Sequence, residues 1–230
     1  MVPSARVAAE PLRAPPGPSP RGARRLDARR ERAGSSRFVS DSADVAPEMR
    51  ASVFVGTSLD GFLARPSGAF DFLPAGGGEE HGYTAFMATV DTLIVGRNTY
   101  DVVLKLPEWP YPGKRVVVLS SRPLTPPRDA SAAVERMEGA PREVAARLRE
   151  TGTRHAYVDG GLTIQSFLRA GLIQRLTITR VPVLIGEGIP LFGALPRDVR
   201  LRHLETRTYP SGLVTSEYEV LAQAFEMEGS

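Results

Sequence analysis

Three short stretches carry residues whose types and spacing suit anion chemistry: Gly96-Arg97-Asn98-Thr99, Ser120-Ser121-Arg122 and Asp159-Gly160-Gly161-Leu162-Thr163. Each follows an apolar run, TLIV, VVVL and AYV respectively, that reads as a strand. Glycine lets backbone N–H groups approach a ligand closely, and a helix N-terminus offers free donors with a partial positive charge. Two such helix starts, each with a threonine hydroxyl one turn in, suit the two halves of a pyrophosphate. Arg97, Arg122 and the two serines suit a further phosphate. Each stretch alone has a plainer reading: a tight turn at Gly160-Gly161, a solvated loop at Ser120–Arg122, a simple helix start at Gly96. It is their recurrence at three strand ends that favours phosphate. Neither GxGxxG after the first strand nor GxxxxGK[ST] is present, and GEGIPLFG at Gly186–Gly193 fits neither template.

The elements that must position these stretches alternate from Met49 onward. Strands are expected at Ala51–Gly56, Thr92–Val95, Arg115–Leu119 and His155–Val158, with a longer one over Leu172–Val181. Helices are expected at Glu80–Thr89, from about Arg97, over Pro141–Glu150, and after Gly161. Extended pieces at Leu201–Thr208 and Leu213–Leu221 close the chain. Strand–helix alternation followed by terminal strands predicts an α/β fold with a mostly parallel central sheet and antiparallel C-terminal edge strands. In such sheets ligands collect at the carboxyl ends of the strands.

The formal charge of +3 has to be located before it means anything. Residues 1–48 hold nine arginines, six acids and seven of the 20 prolines. That leaves 20 of the 29 basic and 20 of the 26 acidic side chains after Glu48, so the body is neutral and gives no argument for nucleic-acid binding. The leader lacks apolar periodicity and is expected to be disordered, as a solvated tail, a basic tether, or sequence upstream of a start at Met49. Its six acids argue against an organellar transit peptide. Residues 49–230 form one expected domain. With no cysteine, thiolate metal sites and cysteine nucleophiles are excluded. No apolar run approaches the roughly 18 residues of a membrane span, and a cytoplasmic location is expected.

SLDGFLA at Ser58–Ala64, VGRNTYD at Val95–Asp101, VVVLSSRPL at Val116–Leu124 and the run from Val158 to Gly193 resemble the dihydrofolate reductase superfamily. The match is closest to stand-alone proteins similar to the C-terminal reductase domain of the bifunctional riboflavin-biosynthesis deaminase–reductase. It implies a three-layer dihydrofolate-reductase-like fold binding NADPH across the strand ends, usually as a homodimer. By the resemblance Gly96, Arg97, Asn98 and Thr99 contact the pyrophosphate, with Arg97 beside the 2′-phosphate. Ser120, Ser121 and Arg122 surround the adenosine ribose and its phosphate. Gly160, Gly161, Leu162 and Thr163 wrap the pyrophosphate from the other side, the glycines sparing the dinucleotide a Cβ clash. The absence of cysteine excludes the companion zinc deaminase chemistry.

Hydride transfer is the nicotinamide's chemistry, and a proton must also arrive from an acid or an ordered water. Asp60 is the first candidate, since it follows the first strand at the cofactor end; its alternative is an Asp-Gly turn. Asp159 is the second, where the riboflavin reductase has a substrate-touching glutamate; its alternative is a helix N-cap. Ser58 and Phe72 join them as substrate contacts, with Trp109 a further possible lining residue. Asp71, Glu79 and Glu80 are weaker candidates. His81, His155 and His203 lack ligand spacing, and no metal site is expected. The resulting reading is an NADPH-dependent reductase of a small pterin-like, pyrimidine or otherwise unsaturated substrate. The alternatives are the 5-amino-6-(5-phosphoribosylamino)uracil reductase of riboflavin biosynthesis and a non-catalytic dinucleotide-binding module.

Overall fold

The computed structural model describes residues 49–74, 81–129 and 131–221; the expectations for residues 1–48, and for Glu79 and Glu80, lie outside them. Ten strands and four helices follow in chain order: β1 Arg50–Ser58, β2 Phe62–Ala64, α1 Tyr83–Thr89, β3 Thr92–Gly96, α2 Arg97–Val103, β4 Arg115–Leu119, β5 Ala133–Met137, α3 Pro141–Glu150, β6 His155–Asp159, α4 Gly161–Arg169, β7 Arg175–Val181, β8 Ile189–Pro190, β9 Leu201–Thr208 and β10 Val214–Val220. Eight of the strands form one sheet in the order β5-β4-β3-β6-β1-β7-β10-β9. From β5 to β7 every pairing is parallel, and β10 and β9 add an antiparallel edge. The expected fold class is the one observed.

Alternation along the central strands explains the three layers, because successive side chains leave a strand on opposite faces. Val53, Val55, Ile94, Val117, Ala156 and Val158 face one side and pack against Val144 and Leu148 of α3 and Ile164 and Phe167 of α4. Phe54, Leu93, Val95, Val116, Val118 and Tyr157 face the other and pack with Tyr100 and Val103 of α2, with Phe86 of α1 lying against them. Each fully buried Val, Leu, Ile or Phe among them contributes about 1.5–3 kcal/mol.

Several boundaries differ from the sequence expectation. β7 starts at Arg175 rather than Leu172, because the residues after α4 complete its C-terminal turn, with the Leu172 N–H bonded to the Phe167 carbonyl at 2.9 Å. α1 starts at Tyr83, after Gly82 in a left-handed conformation. β2, β5 and β8 were not expected. β5 is a partly exposed edge strand carrying Glu135 and Arg136, so its apolar signal is weak. β2 and β8 are three and two residues long, and pair only with each other. Within the sheet β7 is paired on both sides, whereas β9 is the edge strand, with all eight residues exposed.

Candidate active site at the strand carboxyl ends

The sheet order puts β3 between β4 and β6, so the three predicted stretches leave adjacent strands at the same end. Gly96 is in register with Leu119 of β4, and Val95 with Asp159 of β6. α2 and α4 start directly at these ends, with Gly96 and Gly160 as their N-cap residues. Neither helix has a side-chain cap, so the first-turn N–H groups are left for water or a ligand. The short side chains and the missing caps give this junction a geometry that suits an anion.

The glycines have a further reason that the sequence did not disclose. A Cβ on Gly96 would come 2.7 Å from Thr163 Oγ1, and one on Gly160 would collide with Thr99 Oγ1. The two G-x-x-T starts therefore interlock reciprocally, each threonine occupying the space that its neighbour's glycine leaves open. Gly160 also has φ +95° and ψ 132°, a conformation that is nearly reserved for glycine. Gly161 is needed for another contact: its Cβ would lie 3.1 Å from Ile189 Cγ2 and 3.3 Å from the Pro190 carbonyl. The pair of glycines thus admits Thr99 on one side and β8 on the other. The side chains of Asn98 and Leu162, one turn position earlier than the threonines, are exposed, Leu162 at 73%.

At the β4 end the loop is organised by Ser120. Its hydroxyl accepts the Arg122 N–H at 3.1 Å and donates to the Arg122 carbonyl at 2.9 Å. Arg97 pairs through Nε with the Asp101 carboxylate at 2.9 and 3.0 Å and donates from Nη1 to the Pro123 carbonyl at 2.7 Å. Ser121 and Arg122 are exposed, and the Arg122 guanidinium has no partner among the described residues. A third arginine was missed from sequence. Arg136 of β5 donates to the Ser120 carbonyl at 3.1 Å, which brings three guanidinium groups around one loop. Its signal was hidden because β5 itself was not legible.

The two carboxylates expected to act on a substrate have different surroundings. Asp60 is exposed, and its carboxylate accepts the Gly186 N–H at 2.8 Å and the Ile185 N–H at 3.2 Å. The Ser58 hydroxyl bond foremost, and then those backbone N–H groups, hold its carboxyl below the usual carboxylate range. That favours the ionised form and a clamp on the 185–186 turn over proton donation. Ser58 is buried and its Oγ also accepts the Phe62 N–H at 3.0 Å, fixing the turn from β1 to β2. Phe72 is half-buried beyond β2, next to a loop closed by the Arg65–Asp71 pair at 2.6 Å, and makes no aromatic contact among the described residues.

Asp159 is buried, with Oδ1 accepting the N–H of Gly160 at 2.8 Å. It shares the α1 face of β6 with Tyr157, and three tyrosines feel its charge. Burial, and secondarily the Asp159 carboxylate, raise the hydroxyl pKa of Tyr83, Tyr111 and Tyr157, so all three stay protonated. Tyr157 donates to the Phe54 carbonyl at 2.8 Å. The buried hydroxyls of Tyr83 and Tyr111 and the Trp109 indole nitrogen have no hydrogen-bond partner among the described residues. The sequence singles out neither Tyr83 nor Tyr111 as a site residue; only the fold gathers them near Asp159. Among the described residues no group of three or more His, Asp or Glu could hold a metal, and no helix is long and apolar enough to cross a membrane.

A three-layer α/β sheet with bare helix starts at its strand carboxyl ends defines a dihydrofolate-reductase-like domain. The chain belongs to the RibD C-terminal domain family, which matches residues 52–215. It is 34% identical over 165 residues to the uncharacterised protein YwjB of Bacillus subtilis (strain 168), covering 70% of this chain and 93% of that one. A crystal structure from Shewanella sp. PV-4, of a protein described as a riboflavin biosynthesis protein, superimposes with a TM-score of 0.70 at 36% identity, covering 76% of this chain and 100% of that chain. Dihydrofolate reductase from Enterococcus faecalis, complexed with NADP(H), shares the fold at a TM-score of 0.51 and 16% identity, covering 76% and 96%.

Proposed function

We propose that the protein is an NADPH-dependent reductase of a small unsaturated heterocycle, pterin-like or pyrimidine. The observation that carries this is the pair of glycine-started helices without side-chain caps, interlocked at the ends of β3 and β6, beside a loop ringed by three arginines. Family membership and the NADP(H) complex of the Enterococcus reductase support the same reading. NADPH fits this geometry. First-turn N–H groups of α2 and α4, with Thr99 and Thr163, would hold the pyrophosphate; Arg122 and Arg136, oriented with Ser120, Ser121 and Arg97, would hold the 2′-phosphate. When bound, the cofactor supplies the hydride.

Arg97 acts mainly by shaping the phosphate loop, since Nε and Nη1 are already engaged. Asp159 is the better candidate for a substrate-facing group than Asp60. It is buried beside protonated tyrosines, whereas Asp60 is tied to a loop backbone. The proton would come from this Asp159–tyrosine cluster or from water held by it. Association through β9, the open sheet edge, would make the protein a homodimer.

Calorimetric titration with NADPH and NADH tests the reading. NADPH is expected to bind more tightly, and Arg122→Ala or Arg136→Ala to weaken NADPH about tenfold while leaving NADH unchanged. Binding of neither nucleotide to the wild-type protein would overturn it.

A further inference from the structure

The segment that leaves β4, Ser120 to Thr125, contains no helix or strand. Among the described residues its one backbone–backbone hydrogen bond runs from the Ser120 N–H to the Met137 carbonyl at 3.1 Å. Four of its six carbonyl oxygens nonetheless accept a side-chain donor. The Ser120 carbonyl accepts from Nη1 of Arg136 at 3.1 Å, and that of Arg122 from the Ser120 hydroxyl at 2.9 Å. The Pro123 carbonyl accepts from Nη1 of Arg97 at 2.7 Å, and that of Thr125 from the Tyr100 hydroxyl at 2.6 Å. An exposed irregular loop would ordinarily leave such groups to water. Arg97 and Tyr100 supply two of the four donors from one face of α2, three positions apart. Tyr100 is not among the residues of the strand-end site: its ring is buried with Leu93, Val95 and Val118, and its hydroxyl reaches the exposed Thr125.

The consequence is electrostatic. A carbonyl oxygen carries partial negative charge, so a free one beside Arg122 would repel an arriving phosphate and compete with it for the guanidinium. With four carbonyls drawn onto donors, what stays unpaired among the described residues is positive or donating: the Arg122 guanidinium, the Ser121 hydroxyl and the Ser121 N–H. Asp101 pairs with Arg97, which offsets one of the three like charges gathered there. The same tethers hold the loop in one shape before a ligand arrives, so binding costs less ordering entropy. Pro123, with its φ fixed and no N–H, restricts the loop further. Burial foremost raises the Tyr100 hydroxyl pKa, so the hydroxyl remains a donor at neutral pH.

We propose that Tyr100, together with Arg97, is a positioning residue for cofactor selection: by holding the Thr125 and Pro123 carbonyls toward α2, the pair makes the Ser120–Thr125 loop a preformed receptor for a 2′-phosphate. This role rests on the reductase reading, which supplies the nucleotide, and it adds a second source of discrimination, hidden carbonyls beside the arginines. Tyr100 acts through the loop and not on the phosphate. Arg97 does the same, since Asp101 holds its Nε and the Pro123 carbonyl its Nη1. The apparent affinity for a 2′-phosphate then scales with the fraction of molecules in which the loop is latched.

Calorimetric titration of the full-length protein with adenosine 2′,5′-bisphosphate and with adenosine 5′-monophosphate tests the role, since the two ligands differ only in the 2′-phosphate. The wild type is expected to prefer the bisphosphate. Tyr100→Phe keeps the buried ring and removes only the hydroxyl; it should weaken the bisphosphate about fivefold and leave the monophosphate unchanged. Arg97→Lys keeps the charge but cannot hold both Asp101 and the Pro123 carbonyl, and it should weaken the bisphosphate about tenfold. A merely structural role would lower unfolding stability without moving the ratio of the two affinities. A wild type without preference, an unchanged ratio in either variant, or equal weakening of both ligands overturns the proposal, while NADPH binding by the wild type leaves the reductase reading standing. Binding of neither adenosine ligand nor NADPH to the wild type overturns that reading, and the proposal with it.

Discussion

The interlocked helix starts make a quantitative prediction, because the two glycines are constrained differently. Gly96 has φ −77° and ψ 162°, which any residue can adopt, so Gly96→Ala should be costly only through the 2.7 Å approach of its new methyl to Thr163 Oγ1. Overpacking of that kind costs about 1–3 kcal/mol. Gly160→Ala meets the same obstacle at Thr99 and also forces an L-residue into φ +95°, which adds about 1–3 kcal/mol. The expected destabilisation is then about 2–6 kcal/mol. The partner substitutions separate the contributions. Thr163→Ala should rescue most of the Gly96→Ala loss, whereas Thr99→Ala should rescue only the steric part of the Gly160→Ala loss. Urea unfolding of the two double-mutant cycles measures both couplings. If Gly96→Ala is equally destabilising with and without Thr163→Ala, the interlock is not what demands glycine there. If Thr99→Ala fully rescues Gly160→Ala, backbone strain contributes nothing.

Other consequences can be checked with simpler measurements. His155 is buried and bonded to Ser52 at 2.8 Å, and burial foremost, then the Arg50 charge, lowers its pKa from 6.5. The unfolded chain therefore binds more protons below about pH 6.5, so stability should fall on acidification from there toward the folded-state pKa, and His155→Gln should flatten that slope in urea unfolding. Asp60→Asn should speed hydrogen exchange at the Ile185 and Gly186 amides, which its carboxylate holds, and a turnover loss with unchanged exchange would instead make Asp60 the proton donor. Tyr157→Phe removes the buried 2.8 Å bond to the Phe54 carbonyl and should cost about 1–3 kcal/mol in the same unfolding assay.

The order of elements was legible because it rests on local patterns. Apolar runs of β-branched residues at Thr92–Val95, Arg115–Leu119 and His155–Val158 can satisfy their backbone only in a sheet, and glycine punctuation at their ends announces helix starts. The three phosphate-binding candidates were likewise readable, since residue type and the strand-end position are both written along the chain. Spatial neighbourhood was not. Arg136 joins the arginine ring only because β5 pairs with β4, and Asp159 acquires its tyrosines only when α1 and the loop before β4 fold over one sheet face. Asp60 and Asp159 look alike in sequence, each following a strand and preceding glycine; burial and hydrogen-bond partners then separate an exposed loop clamp from a buried carboxylate beside tyrosines. Glu217, one acid among twenty in the body, has no local mark at all. Antiparallel register alone sets it opposite Thr177, a relation between residues 40 apart in sequence that no short-range pattern encodes.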